Sequence, residues 1–223
     1  MKLNKLIDHT KLGANVSKAQ IDQLIKEAKT YDFKSVCVNP IWVKYAAHHL
    51  KHTDVLTCTV IGFPHGTHQP NVKVFEAEQA ILDGAEELDM VININALKQK
   101  DYHTIREEIK GIVDIAEERF VKVILETCYL TDEEIVKACE IAVKAGAHFV
   151  KTSTGFGTAG ATEAHVRLMK QTVGDQAEVK ASGGVRTYED AMTMVEAGAS
   201  RIGTSNGVQI VTGGKTDDSN STY

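Results

Sequence analysis

Eight short runs of apolar and β-branched residues recur along the chain, at 6–8, 35–39, 56–63, 87–93, 121–126, 147–152, 177–182 and 200–204, with longer segments of helical period between them. Most of these runs lack clean alternation, as do parallel strands covered on both faces. Strand and helix repeated about eight times in 223 residues predict an α/β protein, a single (β/α)8 TIM barrel, rather than an open doubly wound sheet. A hydrophobic content of 43% is enough for one core of that size.

The predicted helices have legible ends. Ser17 and Gln20 form a capping box ahead of Ile21, Leu24, Ile25 and Ala28, which share one helical face. Thr131 with Glu134 repeats the device, and Gly146 closes that helix. Thr187 caps a helix carrying Ala191, Met194 and Val195, stopped by Gly198. Ile105, Ile109, Ile112, Val113 and Ala116 are expected to form another buried face. The barrel is assigned to 1–211. The polar, glycine-rich segment 212–223 is expected to be a flexible tail, since it cannot bury enough apolar area to hold itself down.

Twenty-five basic residues stand against 30 acidic ones, a net charge of -5, with no basic run of the kind that tracks nucleic acid. A small soluble ligand is expected, with no nucleic-acid or membrane partner. The first residues lack the apolar stretch of a secretory signal, and nothing approaches the roughly 18 apolar residues of a membrane span, so a cytoplasmic protein is expected. Cys37, Cys58, Cys128 and Cys139 are too widely spaced for a zinc knuckle or a disulfide framework and read as reduced thiols. His48, His49, His52, His65 and His68 lack a carboxylate companion at ligand spacing, so no metal is expected. No cofactor is expected either.

Functional groups of such barrels gather at the carboxyl ends of the strands. Asp8, Cys37, Asn39, Asp89, Lys151 and Lys180 fall in or at the ends of predicted strands. The segments 150–155 and 179–184 share the pattern V-K-[TA]-S-x-G, so two lysines occupy matched positions on successive strands. If both point inward at about 6 Å, with an effective dielectric near 20, their repulsion is roughly 2.8 kcal/mol, enough to leave one partly neutral near pH 7. A neutral amine attacks carbonyls, and a neighbouring cation is one means of producing it. The alternatives are outward-facing, solvated lysines or pairing with Asp89. Asp89, flanked by apolar residues, is either a general acid/base or half of a buried ion pair. Gly183, Gly184 and Arg186 after the seventh strand, with Gly203, Thr204 and Ser205 at the eighth, occupy the usual phosphate position of these barrels.

Segments 7–10, 35–40, 59–66, 87–91, 149–156 and 180–187 resemble those of the deoxyribose-phosphate aldolase family, in family order over nearly the whole chain. The resemblance implies reversible cleavage of 2-deoxy-D-ribose 5-phosphate to D-glyceraldehyde 3-phosphate and acetaldehyde, in deoxynucleoside breakdown. It implies a Schiff base on Lys151, a second lysine, Lys180, that lowers the proton affinity of the first, and Asp89 as proton donor and acceptor. Asp8 resembles the family's contact to substrate hydroxyls, with Thr152 and Gly155 also at the substrate. Cys37 resembles a pocket cysteine exposed to aldehydes, although its neighbours read as core. Tyr223 resembles a terminal tyrosine that visits the site. Some members carry a lysine where this chain has Phe156, so phosphate is expected to depend on backbone amides and Ser205. A homo-oligomer, with a dimer favoured, is expected. Two rival readings are another Schiff-base sugar-phosphate aldolase and a non-catalytic sugar-phosphate binder.

Overall fold

The computed structural model describes residues 2–213; the predicted tail from 214 onward, with Tyr223, lies outside the described residues. Eight parallel strands close into one barrel in sequence order: β1 (Ile7–Lys11), β2 (Ser35–Val38), β3 (Leu56–Ile61), β4 (Glu87–Val91), β5 (Phe120–Ile124), β6 (Phe149–Lys151), β7 (Glu178–Ser182) and β8 (Arg201–Thr204). The last strand pairs with the first through Asp8 opposite Gly203.

Around it lie α1 (Lys18–Thr30), α2 (Val43–Leu50), α3 (Pro70–Leu82), α4 (Ile94–Lys98), α5 (Tyr102–Ala116), α6 (Asp132–Lys144), α7 (Glu163–Val173), α8 (Tyr188–Glu196) and α9 (Gly207–Thr212). Among the described residues no helix is long and apolar enough to cross a membrane.

The strands do alternate, contrary to the first impression from their composition. Val36, Val38, Leu88, Met90, Val121, Val123, Val179, Ala181 and Ile202 belong to the large apolar core that includes the helix faces. The residues between them, Cys37, Glu87, Asp89, Lys122, Lys180 and Arg201, are equally buried but form a separate inner layer. The outer layer supplies the apolar area that drives closure, at about 25 cal/mol per Å² removed from water. The inner layer is charged, which hides the period of two from a search for apolar runs.

The capping boxes at Ser17 and Thr131 form, and Thr187 makes a third with Asp190. Gly146 and Gly198 follow their helices at positive φ, +89° and +113°. On α5, Ile105, Ile109, Ile112 and Ala116 are buried as expected, but Val113 is only partly so and Glu108 shares the buried face. Glu108 can lie there because its carboxylate is 2.7 Å from the buried Lys73 ammonium and accepts from the Asn93 amide at 2.6 Å. Lys73 also donates to the Val91 carbonyl at 2.8 Å, so one ion pair ties α3 and α5 to the end of β4.

Removing one partner of such a pair strands a buried charge. Lys73→Met is expected to lower unfolding free energy by about 3–5 kcal/mol, measured by urea denaturation. The double variant Lys73→Met/Glu108→Leu is expected to lose less than either single variant.

Candidate active site

The inner layer is a connected set of charges. Lys122 on β5 reaches Glu87 at 2.6 Å and Asp89 Oδ1 at 2.9 Å. Lys151 on β6 and Lys180 on β7 both donate to Asp89 Oδ2, at 2.8 and 2.7 Å. Lys180 also lies 2.5 Å from Asp8 Oδ2. Arg201 on β8 bridges Asp8 at 2.7 Å and Glu87 at 2.5 Å. Register produces this arrangement, because Asp89 faces Lys122, Lys151 faces Lys180, and Lys180 faces Arg201 across successive strand pairs.

Four cations therefore share three carboxylates. Lys122, Lys180 and Arg201 each contact two of them, whereas Lys151 contacts only Asp89 and is the one lysine of the layer with any solvent exposure, 3%. Lys151 is therefore the cation of the layer held by the fewest carboxylates. This separates two lysines that are equivalent in the sequence.

Burial pushes the Asp89 carboxyl upward, but the ammonium groups of Lys122, Lys151 and Lys180 outweigh it and hold the carboxyl well below the usual range. Asp8 behaves alike under Arg201 and Lys180. Burial opposes the charge on Lys180, yet Asp8 and Asp89 raise it well above an ordinary lysine. Lys180 is thus a firmly held cation beside Lys151, with two carboxylate partners against one.

Beyond the lysines, a cavity of about 240 Å³ is lined by Gly155, Gly157, Gly160, Gly183, Gly184, Arg186, Ser205 and Asn206 among others. The loops after β6 and β7 touch backbone to backbone there: a Cβ on Gly160 would stand 2.1 Å from the Gly183 carbonyl oxygen. Gly184, at φ +80°, meets nothing within 4 Å at its Cβ position and leaves the cavity open.

Not every expected substrate contact lines this space. Asp8 is fully buried, its Oδ1 accepting from Ser35 at 2.7 Å and from Arg201 at 2.9 Å, so it acts on Lys180 from below. Thr152 donates to the Ser182 carbonyl at 3.0 Å, and Thr204 donates to the Val185 carbonyl at 2.7 Å. Gly203 lies in strand β8, packed against Lys180 and Ser182. Cys37 is buried on the far wall with Cys58, whose thiol donates to Asp89 Oδ1 at 3.2 Å.

Lys122, Glu87, Arg201 and Cys58 were not singled out by the sequence, although Glu87 and Asp89 stand two residues apart, the spacing of one strand face. Glu126 was missed as well. It adopts left-handed backbone angles (φ +57°, ψ +62°) just beyond β5, and its buried carboxylate accepts from the Thr154 amide at 3.2 Å and from the Thr154 hydroxyl. It thereby holds the loop that carries Gly155 and Gly157. Burial pushes its carboxyl upward.

Among the described residues, one group has metal-ligand atoms close together, Cys37, Cys58 and Asp89, and no histidine belongs to it. Three ammonium groups on Asp89 oppose a cation there.

A parallel barrel with buried charged side chains at the carboxyl ends of its strands and a glycine-lined cavity beyond them is the frame of an enzyme. A family model described as DeoC/LacD family aldolase matches residues 2–213, and the chain belongs to that family. The deoxyribose-phosphate aldolase of Macrococcus caseolyticus is 62% identical over 213 residues, 96% of this chain and 97% of that protein. That of Exiguobacterium sp. is 58% identical over 218 residues, 97% and 99% of the two chains. Among solved structures, one described as "QR15, an Aldolase" is 44% identical with a TM-score of 0.92, covering 96% of each chain. The deoxyribose phosphate aldolase of Aeropyrum pernix, described as a tetramer, is 33% identical with a TM-score of 0.88, covering 94% and 89%.

Acid should undo the inner layer first. The unfolded chain protonates its aspartates near pH 4, whereas Asp8 and Asp89 are held lower in the folded protein. Below about pH 4 the unfolded chain binds more protons, so the stability these groups contribute is complete above that pH and declines as pH falls toward their folded values. Urea unfolding between about pH 3 and 7 is expected to show this decline, and Asp8→Asn to make it shallower from a lower starting stability.

Proposed function

We propose that the chain cleaves 2-deoxy-D-ribose 5-phosphate reversibly to D-glyceraldehyde 3-phosphate and acetaldehyde through an imine on Lys151, in deoxyribonucleotide breakdown in the cytoplasm. The observation that carries this reading is the pairing of Lys151 with Asp89 alone inside a layer that holds one cation too many. Family membership and the names of the relatives support the substrate.

Neutral Lys151 attacks the aldehyde carbon of the open-chain sugar. Asp89, 2.8 Å from Lys151 and 2.7 Å from Lys180, passes protons between the carbinolamine, water and Lys180 as hydroxide leaves. The iminium restores the excess positive charge; as the C2–C3 bond breaks, its electron pair moves toward the iminium nitrogen, the C3 hydroxyl proton passes through water to Asp89, and D-glyceraldehyde 3-phosphate leaves a neutral enamine on Lys151. Protonation of the enamine carbon, through water or Tyr223, and hydrolysis then release acetaldehyde.

Gly183 lies three residues beyond Lys180, about 10 Å along an extended strand, and Gly155 four beyond Lys151. This spacing supports binding of the sugar's far end in the cavity, with the Gly184 amide, the Ser205 hydroxyl and Arg186 as the phosphate partners in this reading. Phe156 stacks edge-on against Phe63 at 5.4 Å and supplies no charge, leaving phosphate to these groups. A homo-oligomer, with a dimer favoured, is supported by the exposed Ile41, Phe75 and Leu82.

Borohydride added with the sugar phosphate is expected to leave a reduced adduct on the peptide containing Lys151, read by mass spectrometry. Lys151→Ala is expected to lose the adduct and about a thousandfold or more of the activity. An unlabelled Lys151, or an adduct on Lys180, would refute the assignment. For the cavity, Ser205→Asp is expected to raise KM for the phosphorylated sugar about tenfold or more, while turnover of unphosphorylated 2-deoxyribose falls far less.

A further inference from the structure

We propose that Cys37 and Cys58 form a modification site, a thiol pair on the inner wall of the barrel that a peroxide oxidises reversibly to a disulfide. The two residues are direct partners across β2 and β3. Neighbouring strands lie about 4.8 Å apart, within the roughly 4.4–6.8 Å between Cα atoms that a disulfide spans. Both side chains face inward in a small cluster with Leu12 and Val60, capped by Phe63. Their sulfurs and an Asp89 oxygen all lie within 4.8 Å of one another, so side-chain rotation with a small strand adjustment closes the bond.

The surroundings give the two thiols different parts. The adjacent Cys58 thiol lowers the proton affinity of Cys37 against burial and the Asp89 charge, with Lys180 and Lys151 adding to the lowering. Burial, the Cys37 thiol and the Asp89 charge raise Cys58. Cys37 is therefore the sulfur that attacks, and Cys58, whose proton points at Asp89 Oδ1 3.2 Å away, is the one that resolves. Both thiols are fully buried, so hydrogen peroxide reaches them through local opening beside the partly buried Phe63.

The Cys37 thiolate displaces hydroxide from the peroxide. The O–O bond breaks, an S–O bond forms, and the hydroxide takes a proton to leave as water, giving a sulfenic acid. Cys58 loses its proton, through Asp89, and attacks that sulfur. The S–S bond forms, the S–O bond breaks, and the departing hydroxide collects the proton as a second water. Two thiols are oxidised and one peroxide is reduced. A bond between directly opposed strands is short of relaxed geometry and so is readily reduced again.

Closing it withdraws the Cys58 sulfur from Asp89 Oδ1 and from Lys122, 3.7 Å away, on the oxygen of Asp89 that does not hold Lys151. The oxidised protein should therefore be a poorer aldolase. Cys128, half-buried near Glu126, and Cys139, buried on α6 with its thiol pushed up to about 12, serve as internal controls.

The test treats the native full-length protein with hydrogen peroxide, blocks remaining thiols under denaturing conditions, and maps peptides by mass spectrometry. The expected product lacks two hydrogens, links Cys37 to Cys58 and leaves Cys128 and Cys139 blocked. Activity is expected to fall about tenfold in proportion to the linked fraction and to return with dithiothreitol. In Cys58→Ser, Cys37 is expected to pass on to sulfinic acid, so that the ratio of oxidised to reduced activity no longer recovers. No link, or a link joining other cysteines, overturns the proposal, as does a Cys37–Cys58 link that leaves activity unchanged. The mapping reads the bond without reference to substrate and stands even if Cys58→Ser folds poorly.

Discussion

The buried carboxylate of Asp89 meets three ammonium groups. Each lysine would be intolerable in that interior without it, and Asp89 would be equally intolerable without them. The rest of the inner layer follows from this demand. Glu87 completes Lys122, Asp8 completes Lys180, and Arg201 closes the circuit between Asp8 and Glu87 on the side away from Lys151. Lys151 stands at the open end of the circuit with Asp89 as its one carboxylate partner, the asymmetry on which the proposed imine chemistry rests.

Such a layer costs stability relative to apolar filling, since buried ion pairs seldom recover the full expense of desolvation. The barrel tolerates it because closure is driven elsewhere, by the apolar shell between strands and helices. Two solvents in effect exist within one domain, separated by a single strand thickness. The alternation of side chains along each strand keeps them apart.

The shell was the legible part of the sequence. Valines, isoleucines and alanines at strand and helix spacing, with caps at Ser17, Thr131 and Thr187, locate every strand to within a few residues. The inner layer was legible in part, because Lys151, Lys180 and Asp89 interrupt apolar runs. The resemblance implied Lys151, but the difference in carboxylate partners between the two lysines was not legible, since it depends on Asp8, Glu87 and Arg201 arriving from three other strands, and a local pattern carries no information on register. Glu126 was hidden for a related reason. Its role comes from a left-handed backbone turn and a hydrogen bond to Thr154, 28 residues away. Val113 and Glu108 show the reverse error, where periodicity favoured the apolar residue and the ion pair with Lys73 drew the charged one inside.

The loop after β6 is fastened on both sides, by the Glu126 carboxylate at Thr154 and by the backbone contact of Gly160 with Gly183. Lys151 and the glycine-lined cavity are consequently parts of one stiff block, and under the proposed function the distance between them would work as a ruler for the length of substrate. Tolerance for different molecules has to come from the opposite wall, where Leu12, Cys37, Val60 and Phe63 are side-chain surfaces with no such fastening. On the proposed function the molecule thus divides an evolvable half from a fixed half: changes near β2 and β3 would reshape which aldehyde is held, while changes near β6 and β7 would disturb the measure of the whole site.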